Sequence, residues 1–482
     1  MKNMISNIKR ALFSVVLFAL ATTMGAQALR TGYFMDGNIY RHRLNPALSS
    51  TRGHVSSPLL GGIQVTTMGN VGVGSFLYES PYNNDELVTF MHHSVDAADF
   101  LGELEDENIM RFDLDFTIAS VAFNAFGGFN TIDLTLRSNT AMNIPFGMFQ
   151  FMKEMGNNDY SFSDLTMQTR NFADLSLGHS RKITEDLTVG ARLKFLFGLG
   201  YADVKFDQMD IHTSASRWEI AARGEANIAL GGAYTYSDEL TNTGKTVIDG
   251  YEDVAAGLHG FGMGIDLGAT YDLSNVLLEG LSVSASITDL GYISWSKAAQ
   301  AAIAPEDTYK FEGFRDMSIH SPEDGGDSKT LDDQWSTMRD DLEDFFALED
   351  KGEGSVSSGI GAKFNIGAEY KMPFYNKLSA GFLYTHCFDD VFSYDQASLV
   401  LNLSPNNVLD FALSGTASTF GAGFGAMANI HCPGFNFFIG SDCFLSKVNK
   451  QFVPLENMNA SVSFGINVAF GNYKKKTSAA VE

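Results

Sequence analysis

Runs of alternating apolar and small or polar residues recur along most of this chain. From Phe172, Ala173, Leu175, Leu177 and His179 take one side, and Asp174, Ser176, Gly178 and Ser180 the other. After a turn at Ile183-Thr184-Glu185-Asp186, Leu187, Val189, Ala191, Leu193, Phe195 and Phe197 alternate with Thr188, Gly190, Arg192, Lys194 and Leu196. Side chains on a strand leave opposite faces with a period of two, so each run is a ribbon with one greasy and one mostly polar or small side. The pattern returns at Arg111 to Phe123, around Ile132 to Leu136, at Phe261 to Tyr271 and at Leu281 to Ile287. It resumes in Ile360 to Tyr370, Leu378 to Tyr384, Leu399 to Leu403, Leu409 to Leu413, Phe420 to Ile430, Phe435 to Phe444 and Ala460 to Phe470.

Between these runs lie other patterns. Ile63 to Tyr78 reads as extended, and Tyr201 to Leu230 as two further strands. Helical spacing of Leu87, Phe90 or Met91, Val95, Ala98 and Leu101 predicts a helix within Asp85 to Leu101, and Pro145 to Met155 predicts a short aromatic one. Ser237 to Glu252 reads as a loop. Ala298 to Gly354 reads as a long acidic insert, with Leu331, Trp335, Met338, Leu342 and Phe345 at helical spacing.

The connections alternate too. Short ones fall at Thr184, Ser274, Pro373, Pro405 and Pro433; longer ones at Ser237, Ala298 to Gly354, Asp390 and Ser446 to Asn457, with Thr416 to Thr419 an exception. Short turns on one side and long loops on the other are the expected asymmetry of an outer-membrane barrel. Lipid offers no hydrogen-bond partners, so such a sheet must close on itself. The expected fold is all-β: a transmembrane antiparallel barrel of about 14 strands (14–16) with short helices in its loops.

The N-terminus agrees. Lys2, Lys9 and Arg10 precede the apolar run Ala11 to Ala21, and Ala26-Gln27-Ala28 is a small-residue exit, the layout of a secretory signal peptide. The run is short of the roughly 20 apolar residues of a spanning helix. The expected organisation is a cleaved signal over 1–28, an N-terminal segment over 29–60, a barrel over 61–471 with the acidic insert at 298–354, and a periplasmic tail over 472–482.

Charge narrows the function. The chain has 33 Lys and Arg against 57 Asp and Glu, and the signal segment holds three of the basic residues and no acidic one, so net charge moves from −24 to −27 on cleavage. That argues against nucleic acid, whose binding needs basic patches. Three cysteines, Cys387, Cys432 and Cys443, match no zinc spacing and read as packing residues.

Asn45-Pro46-Ala47 shortly after the signal resembles the FadL-type long-chain fatty-acid transporter superfamily. Leu187 to Lys194, Thr288-Asp289-Leu290-Gly291-Tyr292-Ile293-Ser294-Trp295, and Phe464 to Gly471 resemble an uncharacterised FadL-related branch of Bacteroidetes-type outer membranes. The resemblance implies that the segment before Ile63 is a plug inside the barrel, with Asn45, Pro46 and Ala47 in it. It also implies transport of hydrophobic molecules or partnership with secretion machinery. Asn472 to Glu482, following Phe470, departs from barrels that end on an aromatic residue.

Candidate chemistry is sparse. Asp174, Arg192, Lys194, Asp266, Lys363 and Glu369 fall on the polar face, the cations either as counter-charges for a substrate carboxylate or as partners of the carboxylates. Phe146, Phe149, Phe151 and Met152 fall in an outer segment, as an apolar ligand groove or as packing against Leu87 and Phe90. The insert carries 16 Asp or Glu between Glu306 and Glu353 against five Lys or Arg, without the spacing of a calcium loop. His92 and His93 are adjacent and diverge on a helix, and no Gly-x-Ser-x-Gly elbow is present. No cofactor, metal or catalysis is expected. The expected partners are outer-membrane lipid and lipopolysaccharide, a fatty-acid-like small molecule, and secretion or surface proteins; a non-transporting scaffold is the alternative.

Overall fold

The structure is a computed structural model. It describes residues 29–470 except 51, 57, 59, 83–86, 155, 215–216, 232, 238–245, 253–256, 304–307, 312–335, 339–340, 342–344 and 444–458. The signal segment, the tail after Phe470, Leu331, Trp335 and Leu342 of the insert, and the whole loop at Ser446 to Asn457 lie outside the described residues.

Fourteen antiparallel strands close into a barrel. Strand β1 comes in two pieces, Gly53–Ser56 and Ile63–Gly69, followed by β2 Glu107–Ala125, β3 Gly128–Pro145, β4 Leu165–Lys182 and β5 Leu187–Thr213. Then come β6 Gly260–Asp272, β7 Leu281–Ile303, β8 Lys363–Lys371, β9 Leu378–Cys387 and β10 Tyr394–Leu403. The last are β11 Leu409–Ser418, β12 Gly421–Cys432, β13 Phe435–Ser441 and β14 Ala460–Phe470. Each pairs with the next in sequence, and β14 closes on both pieces of β1, with Phe470 opposite Gly53 and Phe464 opposite Ile63.

The alternation sets which way each strand faces. On β14, Val462, Val468 and Phe470 are exposed outward, while Ser461, Ser463 and Asn467 are buried inward. On β5, Leu193 is exposed while Arg192 and Lys194 are buried. The greasy faces thus form an outer belt and the polar faces line the lumen, the inverse of a soluble sandwich. The turns at Phe126, Ile183 to Asp186, Leu273 to Gly280, Met372 to Lys377, Ser404 to Val408 and Pro433 to Gly434 all lie at one end, between consecutive strands.

Several elements differ from the sequence reading. Tyr201 to Thr213 is not a separate strand but the outer half of β5, which turns back into Trp218–Ala229. Strand β7 likewise runs on to Ile303, inside the stretch read as insert, and pairs there with Trp218–Ala229 and with Leu348–Gly359. Ala233–Tyr236 and Val247–Glu252 pair as a ribbon where a loop was expected. These ribbons continue past the outer belt, so their polar residues obscure the alternation. Of the helix expected over Asp85 to Leu101, only Ala97–Leu101 forms, because the Asp96 side chain caps it by accepting from the Ala98 N–H; Leu87–Thr89 is a short strand. Phe146–Lys153 is helical, and past the strand Ile63–Gly69, Val73–Phe76 turns helical.

Candidate functional site

Residues 29–50 lie inside the barrel. Two short turns of 3-10 helix, Arg30–Gly32 and Arg41–Arg43, shape them, and Tyr33, Asn38, Tyr40, His42 and Asn45 are buried. So folded, the segment presents two unlike flanks.

The apolar flank carries Leu29, Tyr33, Phe34, Met35, Ile39, Tyr40 and Leu44. It packs on one inward residue from each of five successive strands: Leu383 of β9, Val400 of β10, Ala412 of β11, Met427 of β12 and Phe438 of β13. Gly381 makes room for the Phe34 ring, against which a Cβ would collide.

The other flank is ionic. His42 and Arg43 meet Asp133 of β3 at 2.9 and 3.0 Å. Arg192 bridges Asp133 and Asp266, each at 3.0 Å. Lys194 contacts Asp266 at 3.0 Å and also Asp289 and Asp174. Asp289 receives Arg137 at 2.7 Å and Lys363 at 3.2 Å, and Arg137 also reaches Asp115. Arg43, Arg137, Arg192, Lys194 and Lys363 are thus matched by Asp115, Asp133, Asp174, Asp266 and Asp289, every one nearly inaccessible. Burying such charges costs several kcal/mol each unless geometry and hydrogen bonds compensate, and matching compensates here. A second, smaller cluster joins Arg111 and Arg170 to Asp113, Asp389 and Asp390. Phe172, Leu196, Ile293, Ile360 and Trp295 form a buried apolar group, whose Phe172 ring lies 5.2 Å from the Arg137 guanidinium.

Asp289 owes its position to a bulge. The β6–β7 register shifts between Ile265 and Leu267, and Asp289 takes a left-handed φ of 58°. Thr288 and Asp289 are consecutive, yet both are buried. Bulges re-aim side chains in this way, and the Asp289 N–H donates to Asp266 at 2.7 Å.

Asn45, Pro46 and Ala47 seat the plug on the wall. Asn45 donates to the Tyr33 hydroxyl at 3.1 Å and to the carbonyls of Ala269 and Ala285 at 3.4 and 3.3 Å, and its own oxygen accepts from the Ala47 N–H at 3.0 Å. The wall there is glycine: a Cβ at Gly190 would overlap Pro46, and one at Gly268 would overlap Asn45.

Each candidate from the sequence has a place in this arrangement. Asp174, Arg192, Lys194, Asp266 and Lys363 meet in the ionic flank, so no cation among them is left for a substrate carboxylate. Glu369 stands apart, buried near the Asp36–Lys371 pair. The outer apolar residues form no open groove: Phe149 is buried against Phe76, Phe90 and Phe100, Met152 joins that cluster, Phe151 packs on Tyr160, and Phe146 is half-buried. The sequence reading missed Asp289, Arg43, His42 and the Arg111–Asp389–Arg170 cluster. Asp133 and Arg137 stood on the polar face of a recognised strand.

Beside the plug, on its outer side, a cavity of about 70 Å³ is bounded by Arg30, Arg43, Gln64, Asp113, Gln396 and Thr416 among others. Arg30 there donates to Gln396 at 2.6 Å and to the Tyr394 hydroxyl at 3.1 Å. The β1–β14 register is interrupted between Ser56 and Ile63: seven steps along the chain lie against partners, Asn467 and Phe464, that are three apart. The extra chain loops out but stays tied to β14, the Ile466 N–H donating to the Leu60 carbonyl at 2.8 Å and the Asn467 side chain to the Gly61 carbonyl at 3.0 Å. Tyr40 of the plug faces this interruption, its hydroxyl donating to Asn467 at 2.8 Å.

A family model described as a family of unknown function, DUF5723, matches residues 46–442. No curated protein matches. Among solved structures, the Ralstonia pickettii toluene transporter TbuX is similar at 10% identity and a TM-score of 0.40, over 94% of this chain and 97% of that one. A TodX monoaromatic hydrocarbon channel mutant is similar at 8% and 0.42, over 94% and 96%. A Pseudomonas aeruginosa FadL homologue is similar at 8% and 0.41, over 93% and 99%.

Proposed function

We propose that this chain, which belongs to the DUF5723 family, sits in the outer membrane and passes small hydrophobic molecules across it while its plug keeps the lumen shut to ions. The observation that carries the reading is the irregular β1–β14 seam, where the register is interrupted between Ser56 and Ile63, beside a filled lumen. Moving a hydrophobic solute from hydrocarbon into water costs free energy. A path through the wall suits it; a path down an ionic lumen does not. Val55, just before the interrupted stretch, and Leu60, within it, are exposed and give it an apolar outer surface. The matched charges of the ionic flank leave no wide wet pore of the kind a polar solute would need.

The test uses vesicles whose outer leaflet is lipopolysaccharide, a barrier to hydrophobic probes. Purified protein should speed entry of a hydrophobic fluorophore severalfold over protein-free vesicles, and organic extraction of the protein should recover a bound amphiphile. Entry at the protein-free rate together with an empty extract would remove the reading.

A scaffold reading has one observation in its favour. The outer halves of β5 and β7, with Trp218–Ala229 and Leu348–Gly359, carry the sheet beyond the belt, as a platform for a surface partner would. A stable co-purifying protein, with no probe entry, would favour it.

A further inference from the structure

Four of the six turns on the short-turn rim of the barrel carry an exposed apolar side chain at their tip. Phe126, at the β2–β3 turn, is 84% exposed; Ile183, at β4–β5, is 56%; Leu277, at β6–β7, is 72%; and Phe374, at β8–β9, is 84%. These four turns are consecutive around the barrel. The next two have no apolar tip, being Ser404-Pro405-Asn406-Asn407 between β10 and β11 and Pro433-Gly434 between β12 and β13, and the apolar side chain beside the second, Phe435, is 41% exposed and already on the strand. We propose that the β2–β9 half of this rim is immersed in the inner leaflet, so that the barrel stands tilted, with that side sunk deeper than the β10–β13 side.

Continuity decides the occupant. On the same strands, Phe123, Leu177, Leu267 and Ile366 are exposed on the outer belt. On β6 and β8 the outward positions below them, Ala269, Tyr271, Ala368, Tyr370 and Met372, carry this surface on to the turn, while on β4 His179 and Arg181 interrupt it. A belt that reaches further down on one side is a longer hydrophobic span there, and tilting is how such a mismatch is relieved. Arg181 and Lys182, exposed beside Ile183, have long stems that let their heads reach lipid phosphates while the neighbouring apolar side chain stays immersed; Glu185, Asp272 and Glu279, exposed on the same turns, stay at the headgroup level. Turns that waited for a soluble partner would have no reason to continue the belt. The inference holds whatever molecule the barrel carries.

The experiment places one added tryptophan at a time, as Phe126→Trp, Phe374→Trp or Asn406→Trp, in the full chain. Each is reconstituted in phospholipid vesicles with bromine on the acyl chains. The three native tryptophans supply a background that the parent protein measures. Quenching of the added emission at 126 and 374 should exceed that at 406 at least threefold, with blue-shifted emission at the first two. Equal, weak quenching and red-shifted emission at all three would put the rim in water and overturn the proposal, pointing instead to a periplasmic protein on that face. Ile183→Trp reads the same half should either phenylalanine variant fail to assemble.

Discussion

The two flanks of the plug are held to one barrel by opposite means. Toward β9–β13 the contact is apolar: Leu29, Phe34 and Met35 against Leu383, Val400, Ala412, Met427 and Phe438. Toward β3–β8 it is ionic, with His42 and Arg43 tied to Asp133 and, through Arg192, to Asp266, Lys194 and Asp289. The apolar flank releases water from large side chains and is tolerant of how they lie. The ionic flank contributes little net stability, because desolvation offsets attraction, but it punishes any misplacement of its members. The first holds the plug in; the second fixes where it sits.

That division is open to test from its strongest point downward. Asp289→Ala takes the ion-pair partner from Lys363 and one partner each from Arg137, which keeps Asp115 and Asp174, and Lys194, which keeps Asp174 and Asp266. Breaking a buried pair from one side costs about 3–5 kcal/mol, so urea unfolding of the reconstituted protein should shift by that much and the plug should become accessible to protease. Leu383→Ala leaves a void under the apolar flank, where such truncations cost about 2–5 kcal/mol. Here the loss should appear in unfolding while the plug stays protected, since its position is set on the other side. If both variants expose the plug alike, the two flanks do the same job and the comparison fails. Gly268→Val pushes a side chain into Asn45. Overpacking of this kind costs about 1–3 kcal/mol, and the smaller loss should come with a displaced Asn45-Pro46-Ala47 turn, read by hydrogen exchange of the Ala47 amide.

How much of this was legible in the chain varies with the physics of each part. The outer belt was plain, because Leu187, Val189, Leu193 and Val462, Val468, Phe470 keep a strict period of two wherever lipid touches one side. The lumen charges on regular strands could be placed for the same reason, Arg192 and Lys194 among them. Asp289 could not, since the bulge that aims it inward breaks the period by setting it next to Thr288 on the same side. Arg43 and His42 lie in a segment without periodicity, so nothing in their neighbourhood names Asp133, some ninety residues away, as their partner. The outer half of β5 reads as a separate strand because Asp203, Lys205, Asp207 and Asp210 mark where lipid ends, not where the strand does. Spanning needs only about 9–11 residues, and β5 continues well past that. The helical spacing of Leu87 to Leu101 was real, but the Asp96 cap starts the helix late.

Whether the plug closes the lumen is best read electrically. In a planar bilayer the intact protein should pass no steady current at moderate voltage, while Asp289→Ala should show discrete openings as the ionic flank lets go. Large, stable conductance from the intact protein would contradict the account, because a lumen packed on one side and neutralised on the other has no continuous water path for ions to follow.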